Sequence, residues 1–383
     1  MIQTKVATYQ KHDSFRELHI AHGKTSPEEQ TQRALIILDS VGEYPQQWFL
    51  VLAQVEKDLQ EKMPVEATLK LTPFVADEMR ILPDEELPKY LFHRYRYEIY
   101  PKLNKLDEYP PYLQIEPSSI CNYRCVFCYQ VNQSFSEKKS THMGTMLLEQ
   151  YKHIVDEAES NIEFLSLSSR GEPLICKEFG KMMEYSVGKF LNLKVNTNAS
   201  LLTEKHCHSL LCGGARTVVF SVDAAEEPLY SQLRVNGKLE KVLKNIERFQ
   251  KIRETEYKDT KIITRVSGVL VNEAQNMSGM KKMWGELVDQ ISFVKYNPWE
   301  NVYESQLSGV NEPCSDLWRR MFVWYDGTVN PCDTDFKSRL QVGKTPKDSL
   351  SQLWRGEAYQ RLREQHQNAS RKNIHPCNQC VVV

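Results

Sequence analysis

Three cysteines fall within eight residues in Cys121-Asn-Tyr-Arg-Cys125-Val-Phe-Cys128, spaced C-x3-C-x2-C. A cubic [4Fe–4S] cluster normally takes four thiolates. Three thiolates hold three of its irons and leave the fourth open to a substrate or cofactor. Tetrahedral zinc would need a fourth Cys or His at short range, and the next histidine, His142, lies fourteen residues on. A disulfide framework is equally poorly matched. Ten cysteines in 383 residues is not disulfide-dense, and a chain of this size does not need covalent staples. The residue types and their spacing therefore point to an iron–sulfur cluster with one exposed iron.

Such a loop must be positioned by a fold, and the chain has room for two or three domains. Its 41% hydrophobic and 26% charged content suits a soluble globular protein. A formal net charge of -1 implies no broad pull toward nucleic acid or a membrane surface. No apolar run reaches the length of a membrane span, and the opening MIQTKVATYQKHDSFREL has no apolar signal core. A cytoplasmic location is expected, where thiols stay reduced and available to iron.

Three zones follow along the chain. Residues 1–105 contain no Cys and read as a mainly helical accessory region. Helices are expected over Pro27–Val41, Gln46–Met63 and Asp84–Tyr100, with Trp48, Leu50, Val51, Val55 and Leu59 forming one apolar face of the second. Asp107–Pro111 ends in tandem prolines and reads as a linker. Over 106–312 the pattern becomes alternating strands and helices. Strands are expected at Tyr112–Glu116, Ile162–Ser168, Leu191–Asn196, Thr217–Val222, Lys261–Val271 and Ile291–Tyr296. Helices separate them, so the expected fold is α/β, a parallel sheet wrapped by helices. Six β/α units fall short of a closed eight-fold barrel, so a partial (β/α)6 barrel is expected. Ligands sit at the carboxyl ends of such strands, and the cysteine loop follows the first strand at that end. Residues 313–383 read as a small β-hairpin, turning at Asp326-Gly327, plus two short helices.

With these elements in place, the chain resembles the radical S-adenosylmethionine (radical SAM) superfamily over roughly residues 112–296. The C-x3-C-x2-C loop, with Phe127 before its third cysteine, is the family signature. Gly171-Glu172-Pro173 after the second strand is similar to the family's GEP motif, which meets the methionyl amine. Asn196-Thr197-Asn198 closes the third strand, Ser221-Val222-Asp223 ends the fourth, and Arg234 follows. Val271 ends the fifth, where the family packs adenine. The resemblance implies that SAM binds the open iron and is cleaved to a 5′-deoxyadenosyl radical, which takes a hydrogen atom from substrate. SAM contacts are then expected from Phe127, Gly171, Glu172, Pro173, Asn198, Ser221, Asp223, Arg234 and Val271. Glu172 suits an ammonium, because a charged acceptor makes the stronger hydrogen bond. Arg234 reads equally as a clamp on the SAM carboxylate or as a surface arginine.

The last zone resembles the "twitch" domain, a shortened SPASM domain. Its Cys314, Cys332, Cys377 and Cys380, spaced C-x17-C-x44-C-x2-C, suffice for all four irons of one auxiliary [4Fe–4S] cluster. A full SPASM domain carries seven cysteines and two clusters. Four thiolates also suit structural zinc, which stays open here. Cys207 and Cys212, beside Leu210 and Leu211, read as core residues. Cys176 follows the GEP loop and could return a hydrogen atom to a product radical, as an epimerase requires.

The pattern is similar to that of radical SAM dehydrogenases acting on aminocyclitols and related sugars. The expected activity is oxidation or epimerisation of a sugar-like or cyclitol carbon, fed by a reducing partner such as flavodoxin or ferredoxin. Candidate catalytic groups are Cys176, Arg265, Lys295, Tyr296 and Glu300; Lys295 and Tyr296 cannot both face inward from one strand. The alternatives are modification of a ribosomally made peptide and a non-catalytic iron–sulfur scaffold. The first calls for a winged-helix leader-binding domain that the helical N-terminal zone does not match. The second would not need an intact GEP.

Overall fold

The structure is a computed structural model that describes residues 8–9, 19–20, 25–40, 44–61, 67–137 and 139–383. Most of the opening segment judged for a signal core lies outside these residues. So do Val41, Lys62 and Met63, at or near the ends of two expected helices.

The N-terminal zone is helical: α1 (Pro27–Ser40), α2 (Gln46–Gln60), α3 (Pro73–Arg80), α4 (Leu87–Glu98) and α5 (Tyr100–Leu103). Its short strand β1 is His19–Ile20. On α2, Val51 and Val55 are buried as expected, but Leu50 is 79% exposed, because the helix turns its Val51–Leu52–Val55 stripe inward. No element was expected at α3. Its start carries the usual signal nevertheless: the Thr72 hydroxyl accepts from Val75 N, and Pro73 sits at the first turn.

The core strands are β2 (Tyr112–Ile115), β4 (Phe164–Leu167), β5 (Asn192–Thr197), β6 (Ala215–Ser221), β8 (Ile263–Leu270) and β9 (Gln290–Lys295). They pair in parallel, in the order β9-β8-β6-β5-β4-β2. Two-residue strands β3 (Arg124–Cys125) and β7 (Arg234–Val235) form a separate ribbon. Strand β2 is buried along its length, as a strand covered on both faces must be. The apolar core lies between this sheet and the helices that connect its strands. Among the described residues no helix is long and apolar enough to cross a membrane.

Two relationships were not legible beforehand. The C-terminal hairpin, β10 (Arg320–Val323) and β11 (Thr328–Asn330), continues the core sheet: β10 pairs in parallel with β2, and β12 (Gly343–Lys344) follows β11. The N-terminal helices close the opposite end of the sheet, where the strands begin. Arg96 of α4 pairs with Glu163 just before β4 at 2.9 Å. Arg216 at the start of β6 pairs with Glu86 at 2.8 Å, and Arg320 at the start of β10 reaches the Tyr97 hydroxyl at 2.8 Å. Tyr112, Phe164 and Leu191 share one apolar cluster with these helices.

Candidate functional site

The carboxyl ends of the six core strands deliver one set of loops to one place. Ile115 leads to Glu116 and the cysteine loop, Leu167 to the GEP turn, and Thr197 to Asn198. Ser221 leads to Asp223, Leu270 to Val271, and Lys295 to Tyr296. The cysteines lie in an apolar shell with Tyr123, Phe127, Leu233, Val269, Val271 and Tyr296.

Each cysteine loop contact has a local cause. Gly171 must be glycine, because a Cβ there would stand 2.5 Å from the carbonyl oxygens of Ser118 and Ile120. That close approach lets Glu172 N donate to Ile120 O at 2.9 Å. The Cys121 sulfur accepts from Tyr123 N at 3.4 Å and Asn198 Nδ2 at 3.9 Å, and the Cys125 sulfur from Arg234 Nη1 at 3.7 Å. N–H donors aimed at sulfur are what iron-bound thiolates use. Burial pushes the Cys121 thiol up to about 12 and raises Cys125 and Cys128 as well. Ionising these sulfurs is therefore unfavourable until a metal takes them.

Glu172 does more than its sequence role required. It is 2% exposed, and its Oε1 accepts from the Thr197 hydroxyl at 2.6 Å and Leu174 N at 3.2 Å. Its Oε2 accepts from Asn198 N at 2.7 Å. The side chain thus ties the GEP turn to the end of β5. Burial raises its carboxyl to about 7, against the pull of these donors. Asn198 in turn holds Asn122 and Ser200.

A match to family models decides what this arrangement is. Residues 115–263 match the radical SAM superfamily, and residues 314–381 match the SPASM iron–sulfur cluster-binding domain. The chain carries a radical SAM domain followed by a SPASM domain. Its cofactors are SAM with a [4Fe–4S] cluster in the core and an auxiliary iron–sulfur cluster in the SPASM domain.

The chain is 27% identical over 200 residues to a GTP 3′,8-cyclase of Clostridium botulinum (strain Okra / Type B1), covering 50% of this chain and 59% of that one. It is 24% identical over 156 residues to the mycofactocin maturase MftC of Mycolicibacterium smegmatis (strain ATCC 700084 / mc(2)155), covering 41% and 38%. It therefore spans less than two thirds of each of these relatives. Among solved structures, AdoMet-bound anSMEcpe matches with a TM-score of 0.53 at 18% identity, over 71% of this chain and 88% of that one. At that identity the likeness is one of fold.

The SPASM cysteines fit a cluster. Cys314, Cys332, Cys377 and Cys380 line one small cavity. The Cys377 thiol is raised first by burial and then by its neighbours Cys380 and Cys314. The buried Arg371 guanidinium donates to the carbonyls of Glu312, Cys377 and Cys380, at 3.0, 3.0 and 2.8 Å, and fixes the C-x2-C turn. Among the described residues no three His, Cys, Asp or Glu side chains are drawn together as a single ion would require. The match to an iron–sulfur domain favours the cluster over the zinc that the spacing left open.

The remaining expected site residues divide. Arg234 is not a surface arginine. It is buried, ion-paired with Asp223, and joined to the cysteine loop through β7–β3 pairing. Asp223 also accepts from Val269 N at 2.6 Å, which fixes the end of β8. Ser221 is half-buried, and Pro173 opens the short helical turn after Glu172. Tyr296 joins the apolar shell of the cysteine loop, whereas Lys295 is exposed.

Two expectations are corrected. Arg265 lies near the start of β8, under α3, where it bonds Gln290 Oε1 at 2.8 Å and sits over the Phe74 ring; it belongs to the end of the sheet away from the cysteines. Cys176 is 2% exposed and packs in the main core, with Met146 O 3.8 Å from its sulfur; it is not part of the shell around the cysteine loop.

Sequence reasoning missed Glu116, Gln130 and Arg170. Gln130 Nε2 donates to Ser119 O at 2.8 Å and Arg170 O at 2.5 Å, linking the two loops that flank the cysteines. The only available signal was adjacency: Arg170 precedes the GEP turn and Gln130 follows Cys128 by two.

Proposed function

We propose that this chain is a radical SAM enzyme that oxidises or epimerises a carbon of a sugar-like or cyclitol substrate. The observation that supports this reading is the path of residues 299–303. The Trp299–Asn301 turn packs against Tyr129–Val131, just past Cys128. Val302 and Tyr303 then enter an apolar cluster with Phe135 and Phe336. The Tyr303 hydroxyl donates to Asp335 Oδ1 at 2.6 Å, three residues after Cys332. One short segment thus touches the surroundings of both cysteine sets. A substrate resting on it lies between them, where oxidation of a carbon radical needs it.

The seven ligands of this reading are Cys121, Cys125 and Cys128 in the core, with Cys314, Cys332, Cys377 and Cys380 in the SPASM domain. When bound, SAM and the clusters supply the hydrogen-abstracting radical and a destination for the released electron. The chain's own groups hold the geometry. Glu172 and Asn198 fix the loops beside the first set, and Val269, Val271 and Tyr296 exclude water. The names of the two relatives differ, so the domain matches alone do not set the substrate. A small reducing partner such as flavodoxin or ferredoxin and a cytoplasmic setting complete the reading.

The test is 5′-deoxyadenosine release by anaerobically reconstituted protein given SAM, a strong reductant and a panel of nucleotide sugars, cyclitols and peptides. Stimulation by a sugar or cyclitol supports the reading. Stimulation by peptides alone replaces it with peptide modification, and no release from fully loaded protein returns the chain to a scaffold role.

A further inference from the structure

Immediately after β9 the turn Tyr296–Glu300 carries buried polar groups that the fold leaves unmatched. Glu300 is 7% exposed. Its Oε1 accepts from the Tyr296 hydroxyl and, at 3.4 Å, from Asn301 Nδ2. Its Oε2 is buried with no hydrogen-bond partner. Among the described residues no Lys, Arg or His nitrogen lies within 4.0 Å of this carboxylate to form an ion pair. Asn297 is 6% exposed, and its Nδ2 is likewise buried without an acceptor. The Tyr129–Val131 turn, which packs against Trp299–Asn301, adds the unmatched Oε1 of the 1%-exposed Gln130.

Leaving one buried acceptor unmade costs about 1–3 kcal/mol, and more for a charged group. A carboxylate withdrawn from water without a cation is the most expensive of these. The turn is also well placed for a ligand. Tyr296, whose hydroxyl holds Glu300, packs in the same apolar shell as Cys121, Cys128, Val269 and Val271.

We propose that the Tyr296–Glu300 turn is a binding subsite for a protonated amine on the substrate, with Glu300 Oε2 taking the ammonium. Asn297 Nδ2 donates to an oxygen of the same molecule, so the ligand class is an amino alcohol such as an aminocyclitol or amino sugar. This subsite rests on the sugar or cyclitol reading above only for the carbon skeleton. The amine requirement comes from Glu300 itself. Tyr296 orients the carboxylate by occupying Oε1 and leaving Oε2 for the ligand.

The test uses matched probes that differ in a single group: scyllo-inosamine against scyllo-inositol, glucosamine against glucose, and a lysine-containing peptide against its norleucine counterpart. Binding to the cluster-loaded, SAM-bound protein is measured by titration calorimetry beside 5′-deoxyadenosine release. Within at least one pair the amine should bind about tenfold tighter or more, the scale of a hydrogen bond to a charged group. Glu300→Gln should bring that ratio to about one, and Glu300→Asp should keep the preference at weaker affinity. Iron content and melting temperature report whether each variant is folded. Equal binding of amine and hydroxyl members, a preference that survives Glu300→Gln, or no binding by any amine would overturn the subsite. If only the lysine peptide shows a Glu300-dependent preference, the subsite stands and the sugar reading falls. If neutral cyclitols drive SAM cleavage as well as amines do, the sugar reading stands and the subsite falls.

Discussion

Arg170 meets Glu116 in a two-pronged ion pair, with Nη2 to Oε1 at 2.6 Å and Nε to Oε2 at 2.7 Å, both side chains buried. The pair joins three parts of the molecule. Glu116 follows β2, Arg170 precedes the GEP turn, and the remaining Arg170 nitrogen donates to Phe336 O in the SPASM domain at 2.9 Å. Tyr325 N adds a bond to Glu116 Oε1 at 3.2 Å, and the guanidinium lies 4.1 Å from the Trp324 ring centroid.

Removing one member leaves a buried charge without its partner. Arg170→Met should cost about 3–5 kcal/mol of unfolding free energy, read by urea denaturation of the reconstituted protein. Arg170→Met with Glu116→Leu should recover part of that loss. A double variant no more stable than the single would show that the hydrogen bonds to Phe336 and Tyr325 matter more than the charge.

The cysteine sets should separate by substitution. Cys121→Ala, Cys125→Ala or Cys128→Ala should each abolish SAM cleavage. Replacing Cys314, Cys332, Cys377 and Cys380 together by Ala should remove about four irons per chain. An unchanged iron count in the second protein would take the auxiliary cluster away from these residues.

Arg234 is expected to act on cluster retention. Arg234→Leu removes the donor to the Cys125 sulfur and leaves the buried Asp223 unpaired. Iron should leave this variant under a chelator about tenfold faster or more, the scale of one lost charge-assisted bond. Loss at the wild-type rate would make Arg234 a bystander to the cluster.

Cys176 should be dispensable. Cys176→Ala removes a core thiol and should cost about 1 kcal/mol, the ordinary size of a single core change. Substrate turnover should persist. Loss of turnover with an intact fold would restore the thiol as a hydrogen donor and overturn its assignment to the core.

Glu172 sets a pH dependence. Its carboxyl is raised from 4.5 to about 7 in the folded chain, first by burial. The folded state keeps a proton that the unfolded chain gives up earlier. The associated stability is full below about 4.5 and is lost as pH rises toward 7. In protein free of SAM, Glu172→Gln should flatten that part of the stability–pH curve. A curve of unchanged slope would place the titration elsewhere.

Much of the core was legible because its signals are local. The six strands were marked by alternation with helices, and the cysteine loop by spacing alone. Long-range pairing was not legible: nothing in Arg320–Val323 says that its partner is Tyr112–Ile115 rather than only the next hairpin strand. The same limit hid Glu116–Arg170, whose members stand 54 residues apart. Arg265 failed for a different reason. A strand residue was read as facing the functional end, although its position two residues into β8 puts it at the other. Tyr296 and Lys295 were offered as alternatives by strand alternation, and β9 ends at Lys295 with that side chain in solvent.

The pairing of β10 with β2 has a consequence for anyone trimming or grafting this chain. A protein cut before residue 313 would lose one neighbour of β2 and leave this buried strand with one edge of its backbone unpaired. Such an open border recruits other chains and favours aggregation. The terminal region is thus a structural flank of the catalytic unit as well as a carrier of iron. Its metal is best removed by changing its cysteines, since deleting the region would take away half of what keeps β2 enclosed.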